Sequence, residues 1–408
     1  MYITECRVCK SKDVHKFLDF GMQPAADAFL KKEQLTEKEP KYPLEVWFCE
    51  TCGHVQLGYI ASRKPLFESF TYLSSVSKTM RDNFQNIAED AVKKFDLGKD
   101  SLVIDIGCND GALLKSFRSF GTRVLGIDPS PTVKFAIDDG IDVINDFFYE
   151  KTTDAVLKYG KASIVTGTNV FAHIDDYDSF LNGLNTIMED DGVMIWEFPY
   201  LVDTLNKMEF DTMYHEHLSY FSIKPLLVLF KRFNMELFDV KKNPIHGGSI
   251  RIFVKKSIGK WNVNHAIINE LLELEKGMKL DNLDTYIDFA NSVNKVMEDF
   301  VNLLKTLKSE GKRIVGNGAP AKGNALLNFC NIGPEIIDYL AEINHLKQGL
   351  YNPGMHIPVV PLELMHKDNP DYMVILPWNI KDDIIRQEQE FKQRGGMFII
   401  PIPSPTIL

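Results

Sequence analysis

Along this chain, short apolar runs alternate with longer stretches in which apolar residues recur every three or four positions. From residue 71 to 257 the runs SLVIDIG, RVLGIDP, ASIVTGTNV and GVMIWEFP read as buried strands, and MRDNFQNIAEDAVKKF ahead of them carries a helical period. MELFDVKKN and GGSIRIFVKK follow and predict an antiparallel hairpin that closes the sheet. Alternating strands and helices predict a parallel, doubly wound sheet. Residues 258–308 are helical by period (HAIINELLELEKGMKL, FANSVNKVMEDFVNLLKTLKS) and read as a helical connector. From 309 to 408 the alternation returns in KRIVGNG, EIIDYLAEIN, DYMVILPW, the helix KDDIIRQEQEFKQRG and MFIIPIP, which predicts a second, smaller α/β sheet. Residues 1–70 stand apart, with short aromatic-rich strands such as LEVWFCE.

The 408 residues are 45% hydrophobic and 25% charged, an ordinary balance for a globular chain of two or three domains. The net charge of -10 argues against nucleic acid as the main partner, since phosphate backbones are held by clustered Lys and Arg. A local basic pocket for a diphosphate is compatible with it. No secretory leader pattern opens the chain, and no run approaches the roughly 18 apolar residues of a membrane span, so a cytoplasmic protein is expected.

Four of the six cysteines fall in two CxxC pairs, Cys6/Cys9 and Cys49/Cys52, while Cys108 and Cys330 stand alone. Two residues between ligands let both thiolates of a pair reach one ion, and four thiolates complete a tetrahedral zinc site with no open position. A structural zinc is therefore expected, with redox chemistry of the pairs as the alternative. The long stretch between the pairs must carry structure of its own. His15 and His54 lie nearby but are not needed as ligands.

LVIDIGCNDGALL, at 102–114, pairs a buried strand ending in Asp105 with a tight turn at Gly107 and a glycine, Gly111, at the next helix start. Glycine lets a backbone approach a ligand closely, and helix N-terminal amides favour a carboxylate. The D-x-G-x-x-x-G spacing resembles motif I of class I methyltransferases and differs from the G-x-G-x-x-G of dinucleotide enzymes. Asp128, in GIDPS with Pro129, follows by about 20 residues, where an acid bonds ribose hydroxyls. Asn145, Asp146 and Phe147 follow the third strand at the expected adenine edge, and Asn169 ends the fourth near the methionine end of the cofactor.

The segment EFDTMYHEHLSYFS, residues 209–222, is dense in titratable groups. HEH does not have the HExxH spacing of a zinc protease. A histidine beside a carboxylate can be held in one tautomer and serve as a general base. His173, after the fourth strand, is expected to point into the same cleft. In the C-terminal part, VGNGAPAKGNALL sets glycines at a strand-to-helix turn that can cradle phosphates, with Lys322 as a point charge for a diphosphate and Trp378 and Asn379 beside a base or sugar.

The order of blocks then carries a resemblance over nearly the whole chain: the four-cysteine module, YLSSVS at 72–77, IDIGCNDG, YHEHLSYFS, HGGSIR at 246–251, GNGAPAKGN at 316–324, NPG at 352–354 and LPWN at 376–379. The sequence resembles the S-adenosylmethionine-dependent nucleotide-sugar C-methyltransferases of deoxysugar biosynthesis. The resemblance implies an α/β protein with a small zinc-binding module (1–70), a central class I methyltransferase Rossmann-like domain (71–257), the helical connector and a smaller Rossmann-like sugar-nucleotide domain (309–408). It implies methylation of a ring carbon beside a ketone, commonly carbon 3 of a 4-keto sugar. His217 is then the base, and Tyr214, Glu216 and His173 are supporting polar groups. Asp110, Tyr72 and Ser77 join the cofactor contacts, and His246, Gly247 and Asn324 join the substrate contacts. A monomer is expected. An O- or N-methyltransferase on a nucleotide sugar, or a non-catalytic scaffold, are the competing readings.

Overall fold

The computed structural model describes residues 1–62 and 73–408, and residue 246 by its backbone alone. Three sheets are present. The central one has seven strands in the order β10-β11-β8-β7-β4-β5-β6. Its strands are β4 (Leu102–Ile106), β5 (Arg123–Ile127), β6 (Val143–Ile144), β7 (Ala162–Thr168), β8 (Met188–Pro199), β10 (Met235–Asn243) and β11 (Ser249–Lys256). β6, β5, β4, β7 and β8 run parallel, and β10 and β11 form the expected antiparallel hairpin against β8. The strand order reverses direction at β4, and in open α/β sheets ligands bind at the C-terminal strand ends at such a switch point.

The C-terminal sheet repeats the plan with six strands in the order β14-β13-β12-β15-β16-β17. β12 (Ile314–Asn317) lies between β13 (Leu340–Glu342) and β15 (Tyr372–Ile375); β14 (Val359–Pro361), β16 (Met397–Ile400) and the antiparallel β17 (Thr406–Ile407) complete it. Its switch point is at β12, where the GNGAPAKGN loop emerges.

The N-terminal sheet joins β1 (Val14–Gln23), β2 (Tyr42–Cys49) and β3 (Val55–Leu57) to β9 (Ser219–Tyr220), which comes from the middle of the central domain. One continuous apolar core runs from Cys6 and Val46 through Phe171 and Trp196 to Val374 and Ile402, so the parts share an interior.

The connector divides into two helices with different jobs. His265–Gly277 belongs to the central domain: Glu275 accepts hydrogen bonds from the Tyr200 hydroxyl (2.7 Å) and the Ile223 amide (2.6 Å). Leu283–Ser309 has no glycine or proline inside it, is capped by Asn282 on the Asp284 amide (2.9 Å), and packs Tyr286 against Phe17 and Phe48 of the N-terminal sheet. It therefore ties the zinc module to the C-terminal sheet that it leads into.

The turn after β4 shows why glycine stands at 107. Its φ is +77°, and a Cβ there would lie 2.2 Å from Val170 Cγ2. Gly107→Ala is expected to destabilise the protein by about 2–4 kcal/mol, combining a left-handed backbone with overpacking. Urea unfolding of the variant checks this; an unchanged midpoint contradicts it.

Candidate active site and zinc centre

Cys6, Cys9, Cys49 and Cys52 converge, with all four sulfurs within 4.8 Å of one another. Cys6 and Cys52 Sγ lie 3.7 Å apart, and Cys9 and Cys49 Sγ 3.6 Å. A tetrahedron of thiolates about 2.3 Å from zinc has edges of about 3.8 Å, so the donor set and spacing fit that ion. His54 is no ligand and no surface group. It is buried, its Nε2 lies 3.2 Å from Ser219 Oγ, and burial pushes its pKa down to about 3, so it is neutral.

At the cofactor end, the Asp128 carboxylate accepts from the Asn109 amide (2.9 Å) and the Ser130 amide (2.7 Å), which fixes the acid at the tip of β5. A carboxylate has about four acceptor sites, so capacity remains for ribose hydroxyls. Pro129 lies between these partners. Asn145 braces the same tip through its side-chain amide on the Asp128 carbonyl (2.8 Å), and Asp146 accepts from the Phe147 amide (2.7 Å). Asp110 accepts from the Ser75 amide (2.9 Å) and Asn109 from the Ser74 amide (3.1 Å), so the turn after β4 holds the segment ahead of the first long helix.

Some expected contacts have other settings. Asp105 lies under the turn, bonded to Thr166 Oγ1 (2.8 Å), and burial raises its pKa to about 7. Ser77 is the N-cap of helix Lys78–Phe95, its hydroxyl accepting from the Met80 amide (3.4 Å). Asn169 takes a left-handed backbone (φ 57°) just past β7, and its amide donates to the Glu197 carbonyl (2.8 Å). Tyr72 and the His246 side chain lie outside the described residues.

The HEH segment is clamped from two sides. The Leu218 amide donates to the Ala172 carbonyl (2.8 Å) in the central domain. The Leu218 carbonyl accepts from the Leu57 amide (3.0 Å) and from the Arg7 guanidinium, both in the zinc module. Side chains then alternate. His215 turns into the N-terminal module, with Nε2 3.3 Å from the Tyr42 carbonyl, and is neutral because burial pushes its pKa down to about 4. His217 turns the other way. Its Nδ1 lies 2.8 Å from the Thr212 carbonyl and its Nε2 3.0 Å from the Tyr214 hydroxyl. A carbonyl only accepts, so Nδ1 carries a proton, and in the neutral ring the Nε2 lone pair accepts from Tyr214. His173 stacks edge-on against His217 with ring centres 5.0 Å apart. Glu216 is buried, which, aided by Asp27 of the zinc module, raises its pKa to about 8; it is largely protonated at neutral pH.

Gly247, Lys322, Trp378 and Asn379 gather around two carboxylates not singled out from the sequence. A Cβ at Gly247 would fall 2.0 Å from Glu209 Oε1. Trp378 donates from Nε1 to Asp211 Oδ2 (2.6 Å), Lys322 bonds Asn379 Oδ1, and both acids act electrostatically on Lys322. Asn324 is not with them: its side-chain amide donates to the Ala26 carbonyl (2.9 Å) and locks the C-terminal helix against the zinc module. Acids are common in loops, so Glu209, Asp211 and Asp27 are not distinctive by residue type. The visible signal was that Glu209 and Asp211 fall inside the same titratable-rich segment as His217.

Among the described residues no helix is long and apolar enough to cross a membrane. Residues 6–67 match the family model of a zinc binding domain, 72–240 that of a methyltransferase domain, and 244–403 that of a C-methyltransferase C-terminal domain. The C-methyltransferase NovU of Streptomyces niveus is 35% identical over 408 residues, which is 100% of this chain and 97% of NovU. A ubiquinone biosynthesis O-methyltransferase of Rhodopseudomonas palustris (strain BisA53) is 31% identical over 132 residues, 30% of this chain and 49% of that protein. The S-adenosylmethionine-bound magnesium protoporphyrin IX methyltransferase of Synechocystis PCC 6803 aligns with a TM-score of 0.32 at 14% identity, covering 43% of this chain and 79% of that one. The chain belongs to the S-adenosylmethionine-dependent C-methyltransferase family that joins a zinc-binding module, a methyltransferase domain and a C-methyltransferase C-terminal domain.

Proposed function

We propose that the protein methylates a ring carbon next to the ketone of a nucleotide-linked keto-deoxysugar, commonly carbon 3 of a 4-keto sugar, with His217 as the base. The observation that carries this reading is the His217 tautomer, since Nδ1–H on the Thr212 carbonyl leaves Nε2 as the basic atom. S-adenosylmethionine supplies an electrophilic methyl group, and Gly107, Asp110, Asp128, Pro129, Asn145, Asp146, Phe147 and Asn169 are the residues we assign to hold it, with Asp105 and Ser77 supporting the turn beneath.

A ring C–H is acidic enough to lose its proton only when the electron pair delocalises into the adjacent carbonyl. The site therefore needs a base toward the carbon and a donor toward the oxygen. In the proposed reaction the C–H displaces the Tyr214 hydroxyl from the Nε2 lone pair, and Nε2 takes the proton. Glu216, protonated by its burial, is suited to donate to the developing enolate oxygen. An oriented donor of this kind contributes about 3–4 kcal/mol in favourable cases. Tyr214 and His173 flank the imidazole and restrict its rotation. Gly247, Lys322, Trp378 and Asn379, with His246, are assigned to the sugar nucleotide.

The test is incubation in heavy water with S-adenosylmethionine and a panel of nucleotide-linked 4-keto sugars, followed by mass spectrometry. One added methyl on a single panel member, with deuterium at the neighbouring carbon, is expected, and His217→Asn is expected to lower both by about 10²–10⁴-fold. Methyl gain without exchange favours an oxygen or nitrogen acceptor. No methyl on any sugar despite S-adenosylmethionine binding refutes the acceptor class.

Glu216 also sets a pH dependence. The folded protein holds this proton up to about pH 8, against an ordinary value of 4.5. The stabilising contribution is thus full below the lower value and lost as pH rises through the higher one, at about 1.4 kcal/mol per pH unit at most. Glu216→Gln is expected to flatten the fall in stability between pH 5 and 8 and to be the more stable protein at pH 8. Urea unfolding across that range measures it; identical slopes in both proteins contradict it.

A further inference from the structure

From sequence, Lys322 was expected to face a diphosphate. Its surroundings point elsewhere. Its Nζ bonds Asn379, lies 4.9 Å from the Trp378 ring centre, and faces Glu209 and Asp211. Lys207 and Asp203 also act on Glu209, so three carboxyl groups stand against two ammonium groups, a setting rich in acceptors that suits hydrogen-bond donors better than a diphosphate.

Both acids are buried, Glu209 at 1% and Asp211 at 0% exposure. Among the described residues neither Glu209 oxygen has a hydrogen-bond partner, and Asp211 uses Oδ2 on Trp378 while Oδ1 has none. Such atoms are rare in folded proteins, and removal from water without a partner is destabilising. The Glu209 carboxylate packs directly on the Gly247 backbone, where a Cβ would lie 2.0 Å from Oε1, so a side chain at 247 would displace the acid. The same turn that carries these acids sets the base: Thr212 Oγ1 donates to the Glu209 carbonyl (2.6 Å), and the Thr212 carbonyl accepts from His217 Nδ1 (2.8 Å).

We propose that Glu209 and Asp211 form a subsite for a hydrogen-bond-donating substituent of the sugar, a hydroxyl or a protonated amine, and thereby decide which ring substituents the enzyme accepts. This rests on the nucleotide-sugar reading above. A site built to accept a donor rejects the analogue that lacks it, because its own buried acceptors are then left unpaired.

The test is isothermal titration of the full-length, zinc-loaded protein. The ligands are thymidine diphosphate alone and the thymidine diphosphate conjugates of glucose, of a 3-amino-3,6-dideoxyhexose and of a hexose deoxygenated at the same ring positions. Uridine, cytidine and guanosine series follow if thymidine does not bind. The wild type is expected to bind the hydroxyl- or amine-bearing sugar at least tenfold more tightly than the deoxygenated one, and the two arms tell hydroxyl from amine. Glu209→Gln is expected to erase that preference while leaving the free diphosphate within twofold and the Tm no lower, because an unpartnered buried charge has been removed. A preference that survives in Glu209→Gln overturns the subsite. So does an equal loss of affinity for free diphosphate and sugar conjugate in Glu209→Gln and Lys322→Met, which would make the cluster a diphosphate site. If the wild type binds no nucleotide sugar in any series while still binding S-adenosylmethionine, the nucleotide-sugar reading itself falls, and the subsite with it.

Discussion

The backbone N–H and C=O of Leu218 hold this site together. Its amide is bonded into the central domain through Ala172, and its carbonyl into the zinc module through Leu57 and Arg7. Each bond adds only about 1 kcal/mol net, but leaving either group buried and unpaired costs more. His217 is the next residue, so its ring position depends on both neighbours staying in place. The two-residue strand β9 extends the same pairing, with Val55 opposite Tyr220 and Gln56 opposite Ser219. The four thiolates, remote from any chemistry, thus contribute by fixing β2 and β3, and through them the imidazole. Positioning of this kind is what a proton transfer between fixed partners requires.

Around that clamp the interior carries more buried acid than stability alone would favour. Burial raises Asp105, Glu209, Asp211 and Glu216 alike. Asp105 has a partner in Thr166. Glu209 and one oxygen each of Asp211 and Glu216 have none among the described residues. Departures from local consistency of this sort gather where function demands them. Here all three lie within the segment from Glu209 to His217, where the three parts of the chain meet.

Much of the architecture was legible in the sequence because it follows from local period. The central and C-terminal strands are near-continuous apolar runs ending in glycine turns, and the cysteine pairs declare a tetrahedral site by spacing alone. The expected connector was legible as helix, but not its division between two parts, since a helical stripe does not say what covers it. β9 was not legible: two residues carry no period, and the pairing joins Val55 to Tyr220, 165 residues further along the chain. Ser77 and Asn324 fell in motif blocks and were expected at ligands, yet one caps a helix and the other locks two parts together. Short polar side chains serve backbone amides and ligands with the same atoms, and sequence does not separate the two. Glu209 and Asp211 became distinctive only once burial and the lack of partners could be seen.

The central claim is that the zinc module positions His217, the proposed base. It is tested most directly by amide hydrogen exchange at Leu57 and Leu218, before and after removal of zinc by a chelator. Both amides are expected to be protected in the zinc-loaded protein and to lose protection together on zinc removal, while the amides of β4 and β7 stay protected. A Leu218 amide that remains protected after Leu57 has opened would contradict it, because the segment bearing His217 would then be held by the central domain alone.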